Sequence, residues 1–277
     1  NGVIVNKDVT TTGAHLHLDG DMDNTNADDV MNKVQFADGV TIKAKTLITL
    51  ESTQGVIERL GTLTMSAGTG VFIWNDVSSV AADKQLVIDA DNDSSGDGTL
   101  SVVTTRTIDS NDGDVIVTAW DVDLDGGLKT GIKSLRIYES KAAQSIGVGG
   151  SSGSDMIISD AEMGRITTRG GVRIGGNMAG TILINSASLE NSRYMSPAVT
   201  LSAVNDDATL SFTNNPSTFH ALTAEADNGV IISKDVTTTH GHLHFDGDAD
   251  DSSAGDSSNT VLFAAGVAVQ AKTVLTL

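Results

Sequence analysis

The sequence predicts an all-β fold, a β-solenoid (parallel β-helix), from three observations. Short segments of about 4–6 residues with alternating apolar positions recur along the 277 residues, separated by Gly, Asp, Asn and Ser. The apolar residues are mostly Val, Ile and Leu beside abundant Thr and Ser, a mixture that favours strands. The start of the chain is also repeated near its end. Because so short a strand cannot bury its apolar face alone, the pattern is typical of coils that stack on one another.

The repeat relates residues 1–50 to residues 228–277 at an offset of 227, with 30 of 50 positions identical and no gap. We therefore divide the chain into 1–227, one full repeat unit of a β-solenoid, and 228–277, the start of the next unit. A long period that runs on into a second unit is typical of a segment of a repetitive fibre. A single tandem duplication is the alternative.

A Gly-Val-x-Ile pattern marks the rungs of the predicted solenoid. The most regular run begins at Gly39, Gly55 and Gly70, with spacings of 16 (55 − 39) and 15 (70 − 55). Such spacings predict coils of roughly 15–20 residues. The best helix candidate is the two-turn stretch Ser-Asp-Ala-Glu-Met-Gly-Arg-Ile that begins at Ser159. The alternative fold, a string of tandem β-sandwich domains, favours larger strands and a buried Trp or Tyr core, whereas this chain has 2 Trp and 2 Tyr.

Composition and charge exclude several classes of partner. The chain has 17 basic and 36 acidic residues and a formal net charge of −19, so we expect it to repel nucleic acid and anionic lipid. No stretch approaches about 18 consecutive apolar residues, so we expect no membrane insertion. There is no Cys, which excludes disulfides and thiolate chemistry.

The segment from Met156 to Ser192 contains three motifs in a fixed order. They are Ser-Asp-Ala-Glu-Met-Gly-Arg-Ile-Thr from Ser159, Gly-Val-Arg-Ile-Gly from Gly171 and Gly-Thr-Ile-Leu-Ile from Gly180. This order resembles the β-strand repeat regions of large secreted exoproteins of the filamentous-haemagglutinin-like kind. The resemblance is strong over this segment and general in texture elsewhere. It implies an extracellular β-helical filament or adhesin stalk.

Runs of alternating acidic residues are the main candidate metal sites. One run places carboxylates at Asp19, Asp21 and Asp23, and another at Asp89, Asp91, Asp93 and Asp97. Such runs on tight loops offer hard oxygen ligands to Ca²⁺, although neither completes an EF-hand. The alternative is that Asp and Gly form the turns between strands. The second run is the better candidate because it lacks the alternation of a strand. A third run, from Asp121, alternates with Val122 and Leu124, and predicts a strand with its Asp residues outward.

Two other polar features are weaker candidates. His15 and His17 lie on one face of a predicted strand and could share a zinc or copper ion, with a third ligand from Asp19 or a neighbouring coil. The alternative is a solvent-exposed strand face. The triplet Asn-Asp-Ser at Asn92 is a candidate N-glycosylation site in a polar loop.

No catalytic residues are predicted, because the sequence has neither a Gly-x-Ser-x-Gly elbow nor a phosphate-binding loop. We expect a structural segment of an extracellular or cell-surface filament, not an enzyme. Its partner is itself, through end-to-end stacking of repeat units and lateral bundling. The alternative is an adhesin stalk or a Ca²⁺-dependent module that binds carbohydrate or another surface, with surface glycans as partners. We expect no cofactor, with Ca²⁺ at the acidic runs as the alternative.

Overall fold

The computed structural model describes residues 2–25, 31–252 and 257–277. Over these residues the ordered segments are short strands, apart from two helices of a single turn each, and all of the strand pairings within the units described below are parallel. The predicted β-solenoid is confirmed. Tandem β-sandwiches are excluded because they are built from antiparallel sheets.

The chain forms two compact units, Asn1–Leu135 and Arg136–Leu277. The strands of the first unit are β1 (Val3–Val5), β2 (Val9–Thr11), β3 (Leu16–Asp19), β4 (Lys33–Phe36), β5 (Val40–Ala44), β6 (Leu47–Glu51), β7 (Val56–Arg59), β8 (Leu63–Ala67), β9 (Gly70–Ile73), β10 (Val77–Ser79), β11 (Leu86–Asp89), β12 (Thr99–Val102), β13 (Thr107–Asp109), β14 (Val115–Ala119), β15 (Asp121–Leu124) and β16 (Gly127–Gly131).

These strands build three parallel sheets. Sheet A has the order β1-β4-β7-β10-β13-β16, sheet B the order β2-β5-β8-β11-β14, and sheet C the order β3-β6-β9-β12-β15. Each coil of the solenoid therefore contributes one strand to each sheet.

The second unit is built in the same way. Its elements are β17 (Leu135–Glu139, whose first residue ends the first unit), β18 (Gln144–Gly149), β19 (Met156–Ser159), α1 (Asp160–Met163), β20 (Ile166–Thr168), β21 (Val172–Gly176), β22 (Ala179–Asn185), α2 (Leu189–Ser192), β23 (Val199–Ala203), β24 (Leu210–Phe212), β25 (Ser217–Phe219), β26 (Leu222–Ala226), β27 (Val230–Ile232), β28 (Val236–Thr238), β29 (Leu243–Asp246), β30 (Val261–Phe263), β31 (Val269–Gln270) and β32 (Leu275–Thr276). Its strands form sheet D (β19-β18-β22-β24-β27-β30), sheet E (β25-β28-β31) and sheet F (β21-β23-β26-β29-β32).

Most coils are longer than the glycine spacings predict. In the first unit the sequence separation of paired residues runs from 127 − 107 = 20, for Thr107 beside Gly127, to 42 − 9 = 33, for Val9 beside Ile42. The prediction was wrong because the glycines of the Gly-Val rungs introduce every second strand, β5, β7 and β9, and each of these belongs to a different sheet. A spacing of 15 or 16 between glycines therefore covers two strands of a three-strand coil.

The core consists of aliphatic side chains stacked in rows along the inner face of each sheet. In sheet A the row contains Val34, Ile57, Val77, Ile108 and Leu128, which are all buried and all in register with their neighbours. Full burial of each such side chain stabilises the fold by about 1.5–3 kcal/mol. Because the residues between them point outward, the strands alternate as the sequence predicts.

The two copies of the sequence repeat fold into the same local structure. In the first copy Val3 pairs with Val34, Val9 with Ile42 and Leu16 with Ile48. The second copy has the same three pairings at an offset of 227, namely Val230 with Val261, Val236 with Val269 and Leu243 with Leu275. Sequence identity therefore extends to the register of every strand pair in the coil.

Both helices begin with a serine cap. Helix α1 lies in the stretch predicted as a helix, and its N-cap Ser159 forms a capping box with Glu162. The helix has one turn and not the predicted two, because Ile166 already begins β20. Helix α2 has Ser188 as its N-cap and was not predicted. The two are joined because the Asp160 carboxylate accepts hydrogen bonds from the Ser188 N–H (2.7 Å) and hydroxyl (2.8 Å).

Candidate functional site

The predicted acidic loop lies between β11 and β12 in the first unit. Asp91, Asp93 and Asp97 converge there, with one carboxylate oxygen of each within 4.8 Å of the others. Asp89 is the last residue of β11 and does not belong to this group. The structure therefore brings together three of the four predicted ligands.

Hydrogen bonds within the loop hold the three carboxylates. The Ser95 hydroxyl lies 3.2 Å from Asp91 Oδ1 and 2.7 Å from Asp97 Oδ1, within hydrogen-bonding distance of both. The Gly96 N–H donates to Asp91 Oδ2 at 3.1 Å. Asp91 is almost fully buried, whereas Asp93 and Asp97 are exposed. The loop is thus a turn closed by its own Asp residues, which is also the geometry in which carboxylates approach a cation.

The electrostatics separate Asp93 from Asp89. The side-chain hydrogen bond from Ser95, together with the nearby Lys45, lowers the pKa of Asp93. Burial raises the pKa of Asp89, whose Oδ1 atom is buried without a hydrogen-bond partner in the described part of the chain. Asp93 therefore carries its negative charge more readily than Asp89 does, and Ca²⁺ binding by this loop stays a prediction.

The first acidic run is divided by the fold. Asp19 lies with His17 and with Glu51 of the adjacent strand β6, and ligand atoms of the three are within 4.8 Å of one another. Asp21 instead is 1% exposed, and its Oδ2 atom accepts a hydrogen bond from the Gln54 N–H at 2.8 Å. Asp23 is exposed, outside this group, and accepts a hydrogen bond from the Thr25 N–H.

The predicted histidine pair is also divided. His17 Nε2 lies 3.3 Å from Glu51 Oε2, whereas His15 is exposed and outside the group. Both expected sources of a further ligand are present beside His17, namely Asp19 and the neighbouring coil, but the sequence did not identify Glu51 as the residue of that coil. The sequence signal for Glu51 was the apolar pair Ile48 and Leu50, which has the same spacing as Leu16 and Leu18. Pairing the two strands at these positions places Asp19 beside Glu51.

The histidines of the second copy make different contacts. His240 stacks on His220 of the adjacent coil, with ring centroids 4.6 Å apart and an interplanar angle of 4°. Burial and the neighbouring His240 lower the pKa of His220. His242 Nε2 lies 3.0 Å from the Thr223 hydroxyl.

The predicted glycosylation site lies in the same loop as the acidic cluster. The Asn92 side chain donates a hydrogen bond from Nδ2 to the Ser66 hydroxyl at 2.8 Å. An N-linked sugar would replace one of the two hydrogens on that nitrogen, so it would lie next to Ser66. Glycosylation of Asn92 stays a prediction.

A shallow groove on the outer surface of sheet C was not predicted. It lies between the rings of Phe72 and Trp74 on one side and Asp123 and Asp125 on the other. The predicted outward direction of the aspartates on β15 is confirmed, since Val122 and Leu124 are buried and Asp123 is exposed. The available signal for the rings was their alternation in Gly-Val-Phe-Ile-Trp from Gly70.

Comparison with protein-family models, with curated protein sequences and with solved structures finds no match for this chain. Within the described residues, neither helix has the length and apolar character needed to span a membrane.

Proposed function

We propose that this chain is a structural segment of an extracellular, repetitive β-solenoid fibre, in which units related by the offset of 227 stack end to end through continuous parallel sheets. One observation carries the proposal: the second copy of the repeat begins inside a sheet. Strand β27 pairs with β24, β28 with β25 and β29 with β26. The junction between the two repeats is therefore a hydrogen-bonded ladder and not a linker.

The exposed apolar residues at the two edges support the same conclusion. At the start of the first copy, Ile4 is 50% exposed, whereas its counterpart Ile231 is half-buried under the preceding coil. In the second copy Phe263 is 40% exposed, whereas its counterpart Phe36 is fully buried under the next coil. An added coil would remove this apolar surface from water, which stabilises the stack by about 25 cal/mol per Å².

The repeat itself specifies the coil that covers each edge. Because β1–β3 match β27–β29 in sequence, the edge of β1–β3 fits a coil like β24–β26 of a preceding unit. The edge of β30–β32 fits a coil like β7–β9 of a following unit. Specific edge pairing of this kind directs addition along the axis. The net charge of −19 opposes lateral bundling unless cations bridge neighbouring fibres.

Hydrogen exchange on a lengthened chain tests the proposal. The lengthened chain consists of residues 1–227 followed directly by residues 1–277. The strands β4–β6 of its second part then occupy the place of β30–β32, with a further coil stacked on them. We expect their amides to become protected from exchange. In the 277-residue chain the amides of β30–β32 are expected to exchange rapidly because they lie at an edge. Rapid exchange at the junction of the longer chain would contradict end-to-end stacking. Cryo-electron microscopy of the native material is expected to show thin filaments with an axial strand spacing of about 4.8 Å.

The second candidate function is an adhesin stalk or a Ca²⁺-dependent module that binds carbohydrate or another surface. The convergence of Asp91, Asp93 and Asp97 favours it. Calorimetric melting with and without Ca²⁺ distinguishes the two functions. A Ca²⁺-dependent module is expected to melt at a higher temperature when the ion is present, whereas a passive fibre does not require the ion for stability. No enzymatic activity is proposed.

A further inference from the structure

The outer surface of sheet C carries two aromatic rings that the core does not need. Phe72 and Trp74 lie on and directly after β9, with ring centroids 4.9 Å apart and an interplanar angle of 46°. Trp74 is 47% exposed. Val71 and Ile73 fill the core side of the same strand and are fully buried. The two rings therefore lie together on the surface, where an aromatic pair offers a flat apolar face to a ligand.

A groove of ≈ 400 Å³ runs beside these rings. Ser101 and Val103 form its floor, and Asp123 and Asp125 line the far wall. Ser101 pairs with Phe72 on one side and Asp123 on the other, so the two walls are two strand spacings apart, about 10 Å. The volume lies in the range of small-molecule sites, and the width admits a flat ring between the walls.

The lining combines three kinds of group. The faces of the aromatic rings can pack against C–H groups of a ligand, and the carboxylates can accept hydrogen bonds from its hydroxyls. At one end, beside Thr104 and Thr105, the Arg106 guanidinium supplies donors; its Nη1 atom lies 3.7 Å from Asp76 Oδ2. A ligand that fits has apolar C–H faces and many hydroxyl groups.

We infer that this groove binds a neutral oligosaccharide, with one sugar ring stacked on Trp74 and its hydroxyls directed at Asp123 and Asp125. A pyranose ring has the required C–H face and hydroxyl rim. An anionic ligand is disfavoured by the carboxylates and by the net charge of −19. Because the groove has two carboxylates and one guanidinium, a cationic peptide is the competing ligand, and the test below distinguishes it from a neutral sugar. The inference does not rest on the proposed fibre.

The test is a screen of the full 277-residue chain on an array of neutral α- and β-linked oligosaccharides of glucose, mannose, galactose and N-acetylglucosamine. Each sugar that binds is then titrated by isothermal calorimetry. Trp74→Ala is expected to weaken binding about tenfold or more, because it removes the stacking surface. Val80→Ser removes a similarly exposed apolar side chain elsewhere in the unit and is expected to leave affinity unchanged.

A second variant makes the test independent of the folding of Trp74→Ala. Ser101→Gln leaves both rings in place and fills the groove floor, and it is also expected to weaken binding about tenfold or more. The inference is overturned if no sugar on the array binds, or if binding survives both substitutions. It is also overturned if hexalysine binds and the neutral sugars do not, since the groove would then be a site for a cationic peptide.

Discussion

Arg59 connects three successive coils of the first unit and is the most informative side chain to remove. It is fully buried at the end of β7. Its Nη1 atom donates to the carbonyl of Gly61 (2.9 Å) and to those of Lys84 (2.9 Å) and Gln85 (3.1 Å) in the next coil. Its Nη2 atom donates to the Ser110 carbonyl (2.8 Å) one coil further on. Arg59→Met removes all four hydrogen bonds while keeping an unbranched apolar side chain.

The expected loss follows from two opposing terms. Four hydrogen bonds from a charged donor, at about 1.5 kcal/mol each, contribute about 6 kcal/mol. Burial lowers the pKa of Arg59 to about 10, and this shift corresponds to a cost of about 3 kcal/mol for holding the charge out of water. The difference predicts that Arg59→Met lowers the free energy of unfolding by about 3 kcal/mol. Arg59→Lys is expected to recover part of this loss because an ammonium group cannot reach all four carbonyls.

Urea unfolding at pH 7, followed by far-ultraviolet circular dichroism, measures the change. Arg106→Met is the matched control, since Arg106 is partly exposed and, among the described residues, has one ion pair, at 3.7 Å with Asp76. Its expected cost is about 0–1 kcal/mol. The reasoning is refuted if Arg59→Met unfolds within about 1 kcal/mol of the wild type, or if the two Met variants lose equal stability.

Three further predictions concern packing, pH and metal. Gly55→Ala is expected to lower stability by about 3 kcal/mol or more, because the new Cβ would lie 1.2 Å from the Asn32 carbonyl oxygen. The control is Gly13→Ala, whose Cβ meets nothing within 4 Å and which is expected to change stability by less than about 0.5 kcal/mol. Similar melting temperatures for the two variants would contradict this prediction. Burial raises the pKa of Glu139, so the folded state binds the carboxyl proton more tightly than the unfolded state does. The protonated carboxyl therefore contributes stability below about pH 4, and this contribution is lost as the pH rises through the raised pKa. Glu139→Gln is therefore expected to unfold at a higher urea concentration than the wild type at pH 7 and equally at pH 3, and a destabilised variant at pH 7 would argue against the assigned cause. If the loop of Asp91, Asp93 and Asp97 binds Ca²⁺, the ion at 100 times its Kd is expected to stabilise the fold by about 2.7 kcal/mol and so to raise the melting temperature. Asp93→Asn is expected to abolish this rise. An equal rise in the variant would place the ion elsewhere.

The core could be predicted from sequence wherever a strand alternates cleanly. In β8, Leu63 and Met65 point inward while Thr64 and Ser66 point outward, as the alternation predicts. The helix after Ser159 depends on local residues, because its capping box needs only Ser159 and Glu162. These features depend on residues within a few positions of one another.

The candidate sites could be predicted only in part. Asp91, Asp93 and Asp97 lie in one short loop, so their proximity follows from the sequence. Glu51 joins His17 only through the pairing of β3 with β6, which depends on the length of the loop between them. The groove beside Trp74 needs residues from three strands in register, and local alternation does not determine that register.

The sequence by itself determined that this is a parallel β-solenoid whose start recurs at an offset of 227, because strand alternation and internal identity are properties of the chain. Only the tertiary structure decided how many residues each three-strand coil contains. This number is smallest between the paired residues Thr107 and Gly127 and largest between Val9 and Ile42. It determines which surface residues become neighbours. The physical reason is that a strand pairs with whichever segment the intervening loops bring alongside it. That choice is made by the burial of complete rows of Val, Ile and Leu and not by any one segment.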